Sequence, residues 1–260
     1  MQDAFSDYSI PLQFSVEAFD LMMRQRGLDR SRSRIAVVDG LVVSIWLVSV
    51  RGPQAYLISS GTRPNFRSRG LSRALAEHCI SGLRKDAIVS FQTEVLRDNK
   101  TAAGLYYSLG MTQQRQLDCY VIPAQEAPAR TSRAFCKANW QDIALSVSTL
   151  RQWGPSWQNA DASLDAIADH LLCLIFEDDV GLGAYAAIGT HTGAVHQLGV
   201  RQDLRRRGIG TELLRAIQQH LPNTPLRLTN VQHDDTAFRS LLTCAGGEET
   251  VGQYELAMRL

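Results

Sequence analysis

Two short arginine-glycine sequences in this chain have the residue types that bind phosphate. They are Arg67-Ser68-Arg69-Gly70-Leu71-Ser72 and Arg205-Arg206-Arg207-Gly208-Ile209-Gly210. Each follows a short apolar stretch and begins a segment with helical periodicity, where backbone N–H groups can surround a phosphate. The arginine side chains can add charge-assisted hydrogen bonds to phosphate oxygens. The second copy lies 138 positions after the first (208 − 70), about half of the chain, so the repeat predicts two phosphate-binding units.

A purely structural interpretation stays open for each copy. Arg201 and the arginines of the second copy can form a solvated basic face, with the glycines only shaping a turn. Recurrence in the same strand-to-helix context favours phosphate binding. Neither copy completes the G-x-G-x-x-G pattern of dinucleotide-binding folds, and neither contains the Gly-Lys-Ser/Thr of a Walker loop.

The composition limits the classes of protein to which the chain can belong. Its 260 residues, 45% hydrophobic and 20% charged, suffice for two domains of about 130 residues. A net charge of +1 gives no general attraction to nucleic acid or to an anionic membrane, so we expect neither as a partner. The five cysteines are widely separated and show no C-x-x-C spacing, which predicts neither a disulfide framework nor a metal site. The first five residues lack the features of a signal peptide, so we expect a cytoplasmic protein.

Apolar periodicity predicts the same order of elements in both halves: helix, hairpin, strand, helix, strand, helix, strand. In the first half the predicted elements are a helix over 14–26, strands over 34–38 and 41–50 around Asp39-Gly40, a strand over 54–60, a helix over 71–83, a strand over 87–95, a helix over 101–109 and a strand over 116–122. In the second half they are a helix over 162–171, strands over 172–177 and 181–188 around Asp178-Asp179, a strand over 194–200, a helix over 209–221, a strand over 226–231, a helix over 236–244 and a strand over 249–258.

The segment between the two halves has the composition of a linker. Residues 122–132 contain two prolines and no apolar periodicity. We therefore place an N-terminal domain at 1–124, a linker at 125–132 and a C-terminal domain at 133–260. The chain is predicted to contain two copies of one α/β unit.

A larger pattern contains the first signature. It reads R-x-x-G-x-G/A/S after a strand, then a further strand, then N-x-x-A-x-x-L-Y-x-x-x-G, and it resembles the GNAT acetyltransferase superfamily, whose members bind acetyl-CoA. The matching residues of the first half are Thr62, Pro64, Arg67, Gly70, Ser72, Asn99, Ala102, Leu105, Tyr106 and Gly110. Those of the second half are Leu198, Val200, Arg205, Gly208, Gly210, Asp234, Ala237 and Gly246, with Leu241 where the tyrosine would be.

The resemblance covers the whole chain as a tandem arrangement. Residues 4–11 and 155–159 look like segments of a bacterial group of tandem GNAT proteins. The resemblance implies an α/β fold class with two domains, each a mixed, mostly antiparallel sheet flanked by helices.

The resemblance also implies roles for individual residues, with acetyl-CoA as co-substrate. Backbone N–H groups from Arg67 to Ser72 would hold the CoA diphosphate, and strand residues 59–62 would pair with pantetheine. Tyr106 would protonate the departing thiolate, and Asn99 would contact the cofactor. The complete predicted cofactor-binding set is Thr62, Arg67, Ser68, Arg69, Gly70, Leu71, Ser72 and Asn99 in the first half and Leu198, Val200, Arg205, Arg206, Arg207, Gly208, Ile209 and Gly210 in the second.

A base is needed besides the acid, because an amine must lose a proton when it attacks a thioester. Glu94, on the strand before the helix of Tyr106, is our candidate for the base or for holding a water that acts as one. In the second half His196 is the candidate, and period-two alternation puts it on the same side as Leu198 and Val200. Structural interpretations stay open: Tyr106 as a packed core residue, Glu94 as an exposed carboxylate and His196 as a structural histidine.

The sequence leaves two functions open. The first is an N-acetyltransferase that acetylates a primary amine of a small-molecule or peptide acceptor, with the more complete active site in the first half. The second is an acetyl-CoA-binding sensor or scaffold in which one or both halves do not catalyse. Tyr8 and Trp157 are candidates for lining an acceptor pocket. The sequence does not indicate the acceptor, and it is compatible with a monomer or a homodimer.

Overall fold

The computed structural model describes residue 4, residues 14–126 and residues 128–260. The chain divides into two compact units, the first comprising Met1–Gln114 and Tyr254–Leu260 and the second comprising Arg115–Gln253. These units differ from the predicted domains 1–124 and 133–260, because residues 115–124 group with the second half of the chain and residues 254–260 with the first. The predicted domain limits stay a prediction. Among the described residues, no helix is both long and apolar enough to span a bilayer.

The first unit follows the predicted order of elements. They are α1 (Val16–Arg26), β1 (Leu28–Val38), β2 (Leu41–Arg51), β3 (Gln54–Thr62), α2 (Leu71–Lys85), β4 (Ser90–Leu96), α3 (Lys100–Ser108), the beginning of β5 (Thr112–Ile122) and the end of β11 (Glu248–Arg259). Ser15 caps α1, and Gly27 ends it with a φ of 73°. Asp39 and Gly40 both have positive φ, as the tight hairpin turn between β1 and β2 requires.

The sheet of the first unit is mixed. Strands β1, β2 and β3 pair antiparallel, β4 runs parallel to β3, and the 254–259 segment of β11 follows β4 in the strand order. Helices α2 and α3 cover one face through a core that includes Trp46, Leu57, Leu83 and Phe91. Burying each such side chain contributes roughly 1.5–3 kcal/mol to folding. This face carries the first arginine-glycine turn and Tyr106.

The second unit repeats this arrangement with additional short helices. Its elements are the rest of β5, β6 (Cys136–Ala138), α4 (Trp140–Ile143), α5 (Asp161–Asp165), β7 (Leu171–Asp178), β8 (Gly181–Gly189), β9 (Val195–Val200), α6 (Ile209–His220), β10 (Leu226–Gln232), α7 (Thr236–Cys244) and the beginning of β11. Strands β6 to β9 form an antiparallel sheet, and β10 pairs antiparallel with β5. One apolar cluster lies between the strands and α6 and α7, and a second lies under α4 and α5.

The predicted elements of the second half need three corrections. A single helix over 162–171 is wrong: α5 ends at Asp165, a 3-10 turn follows at Ala168–His170, and β7 begins at Leu171. The tight turn between β7 and β8 contains residues 179 and 180, one position later than predicted. The strand β6 and the helix α4 were not predicted, because neither is long enough to show a period.

Candidate functional site

The two arginine-glycine segments have the same backbone conformation. In each, a 3-10 turn (Pro64–Phe66 or Gln202–Leu204) leads from a strand into the signature. Ser68 and Gly70 have φ of 60° and 75°, and Arg206 and Gly208 have 58° and 81°. Positive φ at every second residue turns successive backbone N–H groups toward one side of the chain. The helix that follows adds its own N-terminal N–H groups. Both segments are therefore built to bind an anion such as a diphosphate.

Glycine is required at the start of both helices by the positive φ. A Cβ added at Gly70 or Gly208 would meet nothing within 4 Å, so the side of the turn where a ligand would lie is open. The last position of the signature differs between the copies. A Cβ at Gly210 would come within 3.0 Å of the Leu241 side chain, whereas Ser72 bonds the hydroxyl of Thr62 at 2.8 Å.

The first arginine of each signature hydrogen-bonds to backbone oxygens that flank the turn. Arg67 Nε donates to the backbone oxygen of Thr62 at 3.0 Å, and Arg205 Nε donates to that of Val200 at 2.9 Å. Terminal nitrogens of the same side chains donate to the backbone oxygens of Ala4 and Leu150. Both side chains thus hold the preceding strand to the turn, and their predicted part in phosphate binding stays a prediction. The backbone amides of the turn are candidate anion donors in either case.

The other signature arginines are exposed. Arg69 donates to the backbone oxygen of Asn65 at 3.1 Å and lies over the ring of Phe66. Arg206 and Arg207 lie on the surface beside the second turn. These side chains can reach a phosphate from the solvent side, so their predicted part in cofactor binding stays a prediction.

Next to each turn, two parallel strands separate. Backbone pairing between β3 and β4 runs only from Gln54 to Tyr56 on β3, and the Thr93 hydroxyl then donates to the Leu57 oxygen at 3.2 Å. In the second unit the parallel pairing beside β10 is an isolated bridge between Arg227 and Ala194, the residue just before β9. Strand pairing ends early in both units. We call the strand edge left without backbone pairing the first or the second cleft, because an extended ligand can pair along it.

Both of these strands also carry a bulge at the equivalent place. Pairing with the neighbouring strand skips Ile58 in β3 and His196 in β9. A bulge redirects the side chains that follow it. His196 is itself the extra residue of its bulge, so strict period-two alternation does not apply there, and its predicted orientation with Leu198 and Val200 stays a prediction.

Tyr106 lies where the first cleft meets α3. Its side chain is 5% exposed, its ring packs edge-on against Trp46, and its hydroxyl lies 2.9 Å from the Ser60 hydroxyl on β3. The ring therefore belongs to the core while its oxygen reaches the strand that borders the cleft. The structural and the functional interpretation of this tyrosine are compatible with each other.

Asn99 is the N-cap of α3, where its side chain accepts the Ala102 N–H at 3.0 Å. Asp235 caps α7 in the same way through the N–H of Phe238 at 2.9 Å. Asp235, not Asp234, is therefore the counterpart of Asn99. Counting seven residues on from each cap (106 − 99 and 242 − 235) makes Leu242, not Leu241, the counterpart of Tyr106.

Glu94 is partly buried and belongs to a hydrogen-bonded pair. The hydroxyl of Tyr56 donates to Glu94 Oε2. Burial and the negative charge of Glu94 raise the pKa of Tyr56 well above its usual value, so Tyr56 stays protonated as the donor. Because Ile58 is a bulge, Tyr56 and Ser60 point to opposite faces of the sheet. Glu94 and Tyr106 thus approach the first cleft from opposite faces.

His196 is partly buried, and its Nδ1 lies 3.2 Å from the side-chain oxygen of Asn159. That oxygen accepts a hydrogen bond, so Nδ1 carries the proton and Nε2 is the basic nitrogen. Burial lowers the pKa of His196 to about 4. General bases work best when their pKa is near the operating pH, so this environment makes His196 a weak base.

A cavity of about 330 Å³ lies in the second unit. The second turn, from Arg205 to Thr211, borders it on one side, and apolar residues of β9, β10 and α7 form its walls. Asn159, Gln197 and Tyr185 line its polar end, where the Tyr185 hydroxyl donates to Gln197 Oε1 at 2.8 Å. The predicted residues His196, Leu198, Val200 and the second signature therefore surround one space.

Some side-chain contacts of the site were not predicted. Ser60 lies within the segment 59–62 predicted to pair with pantetheine, but its hydrogen bond to Tyr106 was not predicted. Asn159 connects His196 to the separated strand β10 through the Thr229 oxygen at 2.9 Å. Trp157, a candidate for an acceptor pocket, is buried. Tyr8, the other candidate, lies outside the described residues.

Each α/β unit has a glycine-capped helix that can bind an anion, next to two parallel strands that separate. This arrangement is typical of proteins that bind a nucleotide-derived cofactor along a strand edge. The model of the acetyltransferase (GNAT) family matches residues 3–111 and 138–241, which is more than half of the chain. The chain belongs to this family. Both halves match separately, which confirms the predicted tandem arrangement and fold class.

Curated relatives match over a shorter region. The alanine N-acetyltransferase of ribosomal protein bS18 from Escherichia coli strain K12 is 32% identical over 75 residues, which is 29% of this chain and 51% of that protein. The counterpart from Salmonella typhimurium is 38% identical over 60 residues, 23% of this chain and 40% of that protein. The alignments thus span about half the length of these relatives or less.

Solved structures resemble the chain over its whole length. A tandem GNAT protein from the clavulanic acid biosynthesis pathway, solved without acetyl-CoA, has a TM-score of 0.69 at 14% identity and covers 99% of this chain and 92% of its own. A GCN5-related N-acetyltransferase from Sphaerobacter thermophilus has a TM-score of 0.73 at 16% identity, with 99% and 90% covered. At these identities the likeness supports the fold.

The residues present fit the acyl-CoA co-substrate that acetyltransferases of this family use. Open space beside Gly70 and Gly208 leaves room for a diphosphate, and the early end of strand pairing leaves room for an extended arm. Both units have these two features. They differ in the side chains that face the reacting end of the cleft.

Proposed function

We propose that the first unit transfers an acetyl group from acetyl-CoA to a primary amine of a small-molecule or peptide acceptor. The observation that carries this proposal is the Tyr106 hydroxyl, which is held against the separated part of β3 next to the first turn. A proton donor is thereby placed along the edge where a thioester would bind. The second unit has the turn and the cleft, but it has Leu242 in place of the tyrosine.

Acetyl-CoA supplies the acetyl group as a thioester when bound. Backbone N–H groups of residues 67–72 hold the diphosphate, and the edge of β3 over 59–62 orients the arm. Tyr106 gives its proton to the sulfur as the carbon–sulfur bond breaks, and the phenolate is protonated again before the next turnover. Glu94 accepts the proton that the amine loses as it forms the new bond to carbon, directly or through a water. The two residues together move one proton each way, as direct acyl transfer requires.

The position of Glu94 supports its part in this proposal. Its carboxylate already accepts a hydrogen bond from Tyr56, which fixes its orientation. Glu94 lies on the face opposite Tyr106. The proposed base therefore reaches the amine from one side, and the proposed acid reaches the departing thiolate from the other. Replacing Glu94 with Gln keeps the shape and removes the base, so the rate at neutral pH should fall about 100-fold.

The test uses the full chain and acetyl-CoA labelled with carbon-13 in the acetyl group. The label is followed by mass spectrometry in a panel of amines: a peptide with N-terminal alanine, a polyamine and an amino sugar, each beside its N-acetylated form, together with a cell extract. The alanine peptide is included because the curated relatives are alanine N-acetyltransferases of ribosomal protein bS18. Label on a free amine and none on its blocked form supports the enzyme. Absence of label from every amine, with CoA still bound, would overturn transfer and favour a sensor.

A second function is favoured for the second unit by Leu242 and by the 330 Å³ cavity: it binds acetyl-CoA without transferring it. In calorimetry the full chain should bind two CoA molecules. Gly70→Glu and Gly208→Glu should each remove one binding event, because the carboxylate would occupy and repel the diphosphate site. Only Gly70→Glu should abolish transfer. Loss of transfer in Gly208→Glu alone would assign catalysis to the second unit.

A further inference from the structure

Ser60 and Tyr106 form a pair in which one hydroxyl is buried and the other reaches the cleft. Their oxygens are 2.9 Å apart. Tyr106 is 5% exposed, whereas Ser60 is partly exposed. A buried phenol that gives up its proton in each turnover needs a route by which a proton returns. The Ser60 hydroxyl lies between this phenol and the accessible edge of β3.

The backbone of β3 places Ser60 in this position. The bulge at Ile58 shifts the alternation, so Ser60 pairs with Trp46 and lies on the same face as Leu57. Trp46 contacts the ring of Tyr106 from the side. The strand and the tryptophan together fix both ends of the hydroxyl pair. Without the bulge, Ser60 would point to the opposite face.

The second unit provides an internal comparison. The strand β9 ends at Val200 as β3 ends at Thr62, and the next residues, Arg63 and Arg201, share φ of −53° and ψ of 139°. Two residues before each strand end, Ser60 corresponds to Leu198. Both members of the hydroxyl pair are thus leucines in the second unit, Leu198 and Leu242, which belong to one apolar cluster. The two hydroxyls are present together or absent together.

We propose that Ser60 is a positioning residue for Tyr106 that also returns its proton. After Tyr106 has given its proton to the departing sulfur, the phenolate takes a proton from Ser60, and Ser60 takes one from water in the cleft. One proton enters from solvent for each proton delivered to sulfur, so the relay balances. This inference rests on the proposed function of the first unit and assigns a residue to it that no motif contains.

The test compares Ser60→Ala and Ser60→Thr in the labelled transfer assay. Ser60→Ala should lower kcat about tenfold with little change in the KM for acetyl-CoA, because the hydroxyl serves the acid and not ground-state binding. Ser60→Thr keeps a hydroxyl and should retain most of the activity. The solvent deuterium isotope effect on kcat should rise in Ser60→Ala, and added imidazole should restore part of the rate. Ser81→Ala, an exposed serine of α2, is the matched control.

Combination with Tyr106→Phe separates the possible outcomes. If Ser60 acts through Tyr106, the double variant should be no slower than Tyr106→Phe alone, whereas independent effects would multiply. An unchanged rate in Ser60→Ala, or a loss without the isotope effect and rescue, would overturn the relay even if Tyr106→Phe is slow. A Tyr106→Phe variant as fast as the natural chain would instead overturn the acid itself. Thermal unfolding checks that each variant is folded.

Discussion

Leu242 occupies in α7 the place that Tyr106 occupies in α3. The backbone oxygen of Tyr106 accepts the Met111 N–H at 3.1 Å, and that of Leu242 accepts the Gly247 N–H at 2.8 Å. Both helices thus end in the same way around the compared residue, and both side chains are buried. The two units share a helix geometry but not the tyrosine hydroxyl that it presents. Duplication of the fold therefore does not imply duplication of the chemistry.

Replacing Tyr106 with Phe should lower kcat about 100-fold with little change in acetyl-CoA affinity. The ring stays in contact with Trp46, and only the hydroxyl that protonates the sulfur is lost. Steady-state kinetics and calorimetry on the same preparation separate the two quantities. The neighbouring Tyr107, which is 45% exposed, provides a control. Tyr107→Phe should keep the full rate, and an equal loss in both variants would show a general effect on α3.

Replacing Arg205 with Lys should destabilise the second unit by about 1–2 kcal/mol. Lysine cannot reproduce the fork with which Arg205 reaches the backbone oxygens of both Val200 and Leu150. CoA affinity should fall as a consequence of the loosened turn. Arg206→Lys, at the adjacent exposed position, should leave the unfolding free energy within about 0.5 kcal/mol of the natural chain. Chemical denaturation measures both, and equal stability of the two variants would contradict a structural role for Arg205.

The sequence was a good guide wherever a local pattern determines local structure. The glycines with positive φ, the helix that ends at Gly27 and the hairpin at Asp39-Gly40 all follow from the conformations that these residues prefer. The two turns could be matched to each other because the same residue types are needed for the same backbone. The repeated signature therefore indicated both candidate phosphate sites, and the resemblance to the family pattern indicated Tyr106 near the first.

Features that depend on strand register were not predictable from the sequence. The bulges at Ile58 and His196 leave no composition signal, yet the first decides which face Ser60 points to and the second interrupts the alternation from which the orientation of His196 was predicted. The one-residue error at Leu241 has a related cause, because the distance from the signature to the second helix is two residues shorter in the second half (242 − 208 against 106 − 70). The helix caps at Asn99 and Asp235 and the backbone hydrogen bonds at the ends of the two helices give the correct alignment.

The free energy of unfolding should fall as the pH falls from about 6.5 to 4, in part because of His196. Burial lowers its folded-state pKa to about 4, below the 6.5 of a free imidazole. Between these two pKa values the unfolded chain binds more protons than the folded chain, so acid favours unfolding. The stability that the neutral imidazole contributes is fully lost below about pH 4. His196→Gln should reduce this loss by on the order of 2 kcal/mol.

Chemical denaturation at several pH values compares His196→Gln with the natural chain. His191→Gln is the control, since His191 is exposed on the loop before β9. The control should keep the pH dependence of the natural chain. If the His196 variant has the same dependence, the imidazole is not held neutral by its surroundings.

Alanine should have opposite effects at Gly70 and at Gly104. A Cβ at either position would meet nothing within 4 Å, so crowding is the same and the backbone conformation differs. Gly104 lies within α3, where alanine should raise the free energy of unfolding by about 0.5–1 kcal/mol. Gly70 has a φ of 75°, and alanine at this position should lower the free energy of unfolding by about 1–2 kcal/mol. Both changes are measured by denaturation of the full chain without ligand, and a stabilising Gly70→Ala would show that the first turn does not need its left-handed conformation.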